Sequence, residues 1–225
     1  MTPIGQIRSC YPQKFGVPRQ SGLVPAARAI IELAPEFAPP ESLRGLEEYS
    51  HLWVIFLFDQ VADWRPTVRP PRLGGNRRTG VYATRSPFRP NPIGLSAVAL
   101  DRVEPGPPAR IHVRGGDFLD GTPVLDIKPY LPWTDAPEAA RGGLGGEAPR
   151  SRLEVRFSPQ AERQLQSLDP ELRSLISQVL AQDPRPAYQA GEKRSYGMRL
   201  ECYDIRWRSE GDVAVVEAIE AIAEA

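Results

Sequence analysis

Short apolar stretches punctuate the first part of the chain, with Gly and Pro between them. They lie around Ile4 and Ile7, then over 52–58, 97–103, 111–113 and 124–127. Brief runs rich in β-branched and aromatic residues, bounded by turn formers, predict an all-β barrel or sandwich over residues 1–133. The run LWVIFLF at 52–58 has no polar alternation, which predicts a strand buried on both faces. A buried helical turn is the alternative, and the length favours the strand. Residues 134–151, TDAPEAARGGLGGEAPRS, have no apolar period and read as a linker. GGLGG lacks the Lys-Ser/Thr and the preceding strand of a phosphate loop.

From residue 152 the pattern changes. Leu153, Val155 and Phe157 alternate as in a strand. Ser158-Pro159 reads as an N-cap followed by a first-turn proline. Leu165, Leu168, Leu172, Leu175, Ile176, Val179 and Leu180 then recur at helical spacing to about Ala181, with Asp169-Pro170 starting a second helix and Asp183-Pro-Arg-Pro186 ending it. Strands are predicted over 198–208 and 213–219. The fold class is mainly β, with a small α+β unit over 152–225.

Composition narrows the class. The 25 Pro and 19 Gly argue against a helical bundle, and 41% apolar residues argue against disorder. Lys+Arg and Asp+Glu are both 28, so no global basic excess signals nucleic acid. Cys10 and Cys202 lack metal or redox spacing, which fits a reducing cytosol and inert thiols. His51 and His112 are the only histidines, too few for a metal site, so no metal is expected. The longest apolar run is too short to span a bilayer, and the N-terminus lacks a signal-peptide pattern. A cytoplasmic protein without membrane contact is expected.

The balanced charge hides blocks. Residues 32–63 carry seven acids and one base, Arg44, whereas residues 64–100 carry no acid and seven arginines. Trp64, Tyr82 and Phe88 lie among those arginines. Arginine suits phosphate and carboxylate, and interleaved aromatics suit RNA. Neutralisation of the acidic block, within the fold or across an oligomer, explains the same charges equally well.

RSPFRPNPIGL at 85–95 is stiffened by its prolines and carries two arginines. It sits among a series of blocks: KFGVPRQSGLV at 14–24, SHLWVIFLF at 50–58, RPPRLGG at 69–75, ATRSPFRPNPIGLS at 83–96, DGTPVLDIKPYLPW at 120–133 and AQDPRPAY at 181–188. In this order they resemble the TsaA/TrmO methyltransferases over nearly the whole chain. The resemblance implies a β-barrel that uses S-adenosylmethionine to methylate tRNA at N6 of threonylcarbamoyladenosine, on the 3′ side of the anticodon. It also implies a homodimer with the cofactor near the subunit interface. Carried over by motif, the cofactor-binding positions are Pro18, Arg19, Gln20, Asp59, Gln60, Arg85, Leu95, Asp117, Phe118, Leu119 and Asp120. Asp59 stands where familiar bacterial members have His, which a backbone contact would survive.

N6 of the modified base is a poor nucleophile with a more acidic hydrogen, so a proton acceptor would help. The candidates are Asp120, Asp126 and Tyr130, although an Asp before Gly-Thr also suits a plain turn. Arg69, Arg72 and Arg89 are candidates for reading the threonyl carboxylate, and Arg77 and Arg78 for phosphate contacts. The loop of Asp183, Arg185 and Tyr188 either touches RNA or cofactor, or simply ends a helix. A non-catalytic RNA-binding adaptor and a dimerisation module are the competing functional classes.

Overall fold

Every second side chain of a strand faces the same way, and in the first half of the chain those positions turn inward together. The computed structural model describes residues 1–70, 77–143, 153–185 and 194–222. Its first eight strands are β1 (Gly5–Ser9), β2 (Arg28–Leu33), β3 (His51–Leu57), β4 (Thr67–Val68), β5 (Thr79–Gly80), β6 (Ile93–Glu104), β7 (Arg110–Arg114) and β8 (Pro123–Pro129). Six of them close into a barrel in the order β1-β2-β7-β6-β3-β8, with every neighbour antiparallel. Closure leaves no exposed sheet edge. β4 and β5 form a separate ribbon. Ile7, Ile31, Leu52, Val54, Phe56, Val98, Ile111 and Val124 fill the barrel.

Two sequence expectations change here. β2, RAIIEL, is a full barrel strand that was not anticipated; its burial alternates, but charges at both ends leave only a short apolar signature. β3 is not buried on both faces. Leu52, Val54 and Phe56 point inward, while Trp53, Ile55 and Leu57 are half-buried on the outer wall. Its lack of polar alternation reflects an apolar outer surface. A short helix, α1 (Pro132–Asp135), folds back over part of that wall, where the Trp53 indole donates to Asp135 at 2.8 Å.

The second unit contains β9 (Glu154–Phe157), α2 (Pro159–Leu165), α3 (Pro170–Ala181), β10 (Ser195–Leu200), β11 (Tyr203–Glu210) and β12 (Val213–Ala221). The sheet order is β10-β11-β12-β9, with β9 parallel to β12. Ser158 Oγ accepts from the Ala161 amide and Asp169 Oδ1 from the Glu171 amide, so both helices carry side-chain caps. The strand expected over 198–208 is instead a hairpin, β10–β11, that turns at Glu201 with φ 52°.

The two units share one core. Cys10, Tyr11, Val24 and Ala27, from the β1–β2 connection, pack with Leu172, Ile176, Val179, Met198 and Trp207. The Ala26 amide donates to Gln178 Oε1 at 2.8 Å, and the Glu201 amide to the Cys10 carbonyl at 2.8 Å. Arg28 and Arg114, on adjacent strands, both pair with Glu171 at the start of α3. Among the described residues no helix is long and apolar enough to cross a membrane.

Candidate functional site

Three connections meet at one end of the barrel: β1–β2 (residues 10–27), β3–β6 (residues 58–92) and β7–β8 (residues 115–122). Antiparallel pairing brings them there. β3 ends and β6 begins at that end, with Leu57 opposite Ile93, and β8 begins beside them, with Val124 opposite Phe56. All eleven positions carried over for the cofactor belong to these connections or to the first residues of β6.

The contacts tie the connections together. Arg85 donates to Gln20 Oε1 at 2.5 Å, linking the Arg-Pro loop to the β1–β2 connection. Ser96 Oγ lies 2.6 Å from Asp117 Oδ1, linking β6 to the β7–β8 connection. Burial pushes the Asp117 carboxyl above the usual aspartate range, against the Ser96 hydrogen bond and the attraction of Arg85. Tyr11 lies behind this group; burial also raises its phenol, and its hydroxyl has no partner among the described residues. The Phe58 amide donates to the Pro92 carbonyl at 2.8 Å, which holds the exposed Asp59 and Gln60 against the Arg-Pro loop. Pro18 is buried, and Pro18 and Arg19 line a cleft of about 110 Å³ whose far wall is Val179, Gln182, Asp183 and Pro184 of the second unit.

The remaining positions divide into structural and open ones. Phe118 is 1% exposed, and its ring packs edge-on against Phe56 at 5.1 Å inside the barrel. The Leu119 carbonyl accepts from the amide and hydroxyl of Thr122, closing a turn in which Gly121 takes φ 82°. Asp120 sits in that turn, and its Oδ1 accepts from the Ser9 amide at 2.9 Å. Leu95, in contrast, is 51% exposed.

The three proton-transfer candidates are not brought together. Asp126 faces the outer wall in a row with Ile55 and Leu95, about 10 Å from Leu95 at two strand spacings. It pairs with Lys128 at 3.0 Å. Tyr130 packs on Trp53 at 5.3 Å, with its amide donating to the His51 carbonyl. That is the opposite end of β3, about 20 Å from the converging connections.

The arginines divide as well. Arg89 Nη1 donates to the carbonyls of Val81 and Thr84, at 3.0 and 2.8 Å, which ties one arm of its guanidinium to the loop. Arg65 lies over the Phe88 ring at 4.8 Å. Arg69, Arg77 and Arg78 are exposed beside the β4–β5 ribbon. Arg72 and Tyr188 lie outside the described residues. Arg185 is turned inward: its side chain is 3% exposed, fork-bonded to Asp183 at 2.7 and 3.1 Å, and bonded to Ser209. This internal pairing matches the helix-ending reading of that loop. Cys10 is buried and its thiol is pushed up to about 12, mainly by burial. His112 lies 3.2 Å from Glu104 on the barrel wall. Among the described residues no group of three or more His, Cys, Asp or Glu is placed to hold a metal ion.

The chain is similar to known proteins over most of its length. Residues 6–136 match the family model of the tRNA-methyltransferase O N-terminal domain, and residues 150–222 match that of the TrmO C-terminal domain. A tRNA (adenine(37)-N6)-methyltransferase of Escherichia coli is 48% identical over 213 residues, 91% of this chain and 91% of its own. RcsF of Pseudomonas aeruginosa, which carries the name of an S-adenosylmethionine-dependent methyltransferase, is 52% identical over 214 residues, 92% and 91% of the two chains. The crystal structure of TrmO from Pseudomonas aeruginosa superposes with a TM-score of 0.82 at 43% identity, covering 98% of this chain and 97% of that one.

Proposed function

This chain belongs to the TrmO family and is an S-adenosylmethionine-dependent tRNA methyltransferase, and from that premise we propose that it methylates N6 of threonylcarbamoyladenosine, at the adenosine on the 3′ side of the anticodon. The observation that carries this reading is the barrel end where Gln20, Arg85, Ser96 and Asp117 converge from distant parts of the chain.

The donor set suits the cofactor's charges. S-adenosylmethionine has a carboxylate, an ammonium and a sulfonium. When bound, it supplies an electrophilic methyl and departs as a neutral thioether, so no acid is needed for the leaving group. Arg85 offers a fork for the carboxylate. Asp117 offers a desolvated carboxyl that a cationic neighbour would ionise. Pro18, Arg19, Asp59, Gln60, Leu95, Phe118, Leu119 and Asp120 complete the proposed cofactor positions, with Phe118 and Leu119 acting mainly by holding the connection in place. Alignment of nucleophile and methyl is the main catalytic task, and the bonded, proline-stiffened loops favour it.

Asp120 and Asp126 remain the proposed proton acceptors. Tyr130 is too far from the converging connections within one chain to serve with them. Arg69, together with Arg72, is proposed to read the threonyl carboxylate, and Arg77 and Arg78 the phosphates; Arg89 is better explained as a scaffold. Ile55, Leu57, Ile93 and Leu95 leave an apolar strip on the outer wall, which supports a homodimer with this wall as its contact; a cytoplasmic location is proposed from the tRNA substrate alone.

The deciding experiment incubates the purified protein with labelled S-adenosylmethionine and two tRNA pools, one carrying threonylcarbamoyladenosine and one lacking it. Label in the first pool alone is the expected result. Equal label in both pools refutes the modified-base specificity, and cofactor binding without label in either pool supports an adaptor. Normal single-turnover rates in both Asp120→Asn and Asp126→Asn would remove those two carboxylates from the chemistry.

A further inference from the structure

Tyr82 is 72% exposed, yet it stands on a turn held by several hydrogen bonds. The turn spans Val81–Ala83. Val81 is buried at 1% exposure and its amide donates to the Pro66 carbonyl at 3.0 Å. The Thr84 hydroxyl and the Arg89 guanidinium both donate back to the Val81 carbonyl. The Arg89 guanidinium carbon then lies 5.4 Å from the centre of the Tyr82 ring. The same arrangement occurs a few residues away, with Arg65 over Phe88, but there the ring is half-buried. Of two arginine-backed aromatics on one loop, one is half-buried and the other is open.

We propose that Tyr82 is a stacking platform for an unpaired base of the tRNA anticodon loop, with Arg89 fixing the ring from the protein side. The inference rests on the functional reading above. Chemistry on a base requires that base to leave its stack, so its neighbours lose a stacking partner at the same moment. An aromatic face accepts any base, because every base has a π-face. The position is right for this. Arg85 is three positions after Tyr82, a span of at most about 11 Å, and it is bonded to Gln20 at the converging connections. The charge is also right, because residues 64–100 hold no acid and Arg69, Arg77 and Arg78 are exposed nearby. Pinning the turn before RNA arrives lowers the ordering cost of the contact.

The test compares full-length protein with Tyr82→Ala and Tyr82→Phe, using modified tRNA and a matching anticodon stem–loop RNA. Tyr82→Ala should weaken RNA binding about tenfold, whereas Tyr82→Phe should stay within about twofold. Cofactor affinity should not change in either variant. The slope of affinity against salt should also be unchanged in Tyr82→Ala, because no phosphate contact is lost; Arg77→Ala should flatten it. Abasic nucleotides placed in turn around the loop should reveal one position where the wild type weakens about tenfold and Tyr82→Ala does not weaken further. Wild-type affinity in Tyr82→Ala overturns the inference. So does a fall in oligomeric state with RNA affinity kept, which would make the ring a subunit contact. Failure of the wild type to bind tRNA overturns the functional reading and this inference together, whereas binding by the wild type with no loss in Tyr82→Ala overturns this inference alone.

Discussion

Gly94→Ala tests whether the proposed site depends on one close approach in the barrel. Gly94 lies directly opposite Phe56, and both face inward. A methyl group built on Gly94 would sit 2.2, 2.3 and 2.6 Å from three atoms of the Phe56 ring. Carbon atoms in comfortable contact are about 3.5–4.0 Å apart, so the ring must retreat by more than about 1 Å. It cannot do so freely, because Phe58 and Phe118 hold it edge-on at 5.0 and 5.1 Å. Overpacking of this kind costs about 1–3 kcal/mol. For a chain of this length, about 2 kcal/mol lowers Tm by about 4–8 °C. The neighbouring Ser96–Asp117 bond lies on the same strand segment, so cofactor affinity should fall as well. Calorimetry and cofactor titration measure the two effects, and Phe56→Leu in the Gly94→Ala background should recover most of the stability by returning volume. A Tm change below about 1 °C in Gly94→Ala, or a further loss in the double variant, would refute the reasoning.

Three further outcomes follow from the same structure. Asp117 holds its proton more tightly folded than unfolded, so its contribution lowers stability as pH rises from the ordinary aspartate range to the raised folded pKa; Asp117→Asn should flatten that part of a Tm-against-pH curve and weaken cofactor binding at neutral pH. Glu171 is held below the usual glutamate range, chiefly by its hydrogen bond to Arg28 and then by Arg114, so its contribution is present above the ordinary glutamate pKa and is lost as pH falls through the lowered one. Glu171→Gln should remove that acid loss and reduce the salt sensitivity of thermal unfolding. Arg185→Met leaves Asp183 buried without its partner and should cost about 3–5 kcal/mol by denaturant titration, with Asp183→Asn added to it recovering more than half.

What the sequence revealed follows where local chemistry and tertiary context agree. Ser158-Pro159 and Asp169-Pro170 announce helix starts because the cap, the proline and the first turn are all local, and both caps form as expected. The hairpin at Glu201 stayed hidden because its turn has no Gly or Asn to mark a positive φ; the geometry is imposed by the bond from the Glu201 amide to the Cys10 carbonyl, far away in sequence. The arginine block was ambiguous for a similar reason. Charge alone does not separate Arg89, spent on two carbonyls, from Arg77 and Arg78 at the surface. Part of the block, Arg89, builds the loop, whereas Arg77 and Arg78 stay at the surface, where RNA contact is the proposal.

The β1–β2 connection explains why two folding units serve one proposed site. Its far end, at Gln20, reaches Arg85 over the barrel. Its body, through Cys10, Tyr11, Val24 and Ala27, is built into the core of the second unit. At Gly16, with φ 100°, the backbone passes so close to Met198 that a Cβ would lie 2.7 Å from its sulfur. A barrel without residues 153–222 would keep all six strands but return those side chains to water. Burying a Val-sized side chain alone stabilises by about 1.5–3 kcal/mol, so the connection would rearrange to hide them rather than stay extended toward Arg85. The second unit therefore supports the proposed cofactor site by packing against the loop that carries Gln20 toward Arg85.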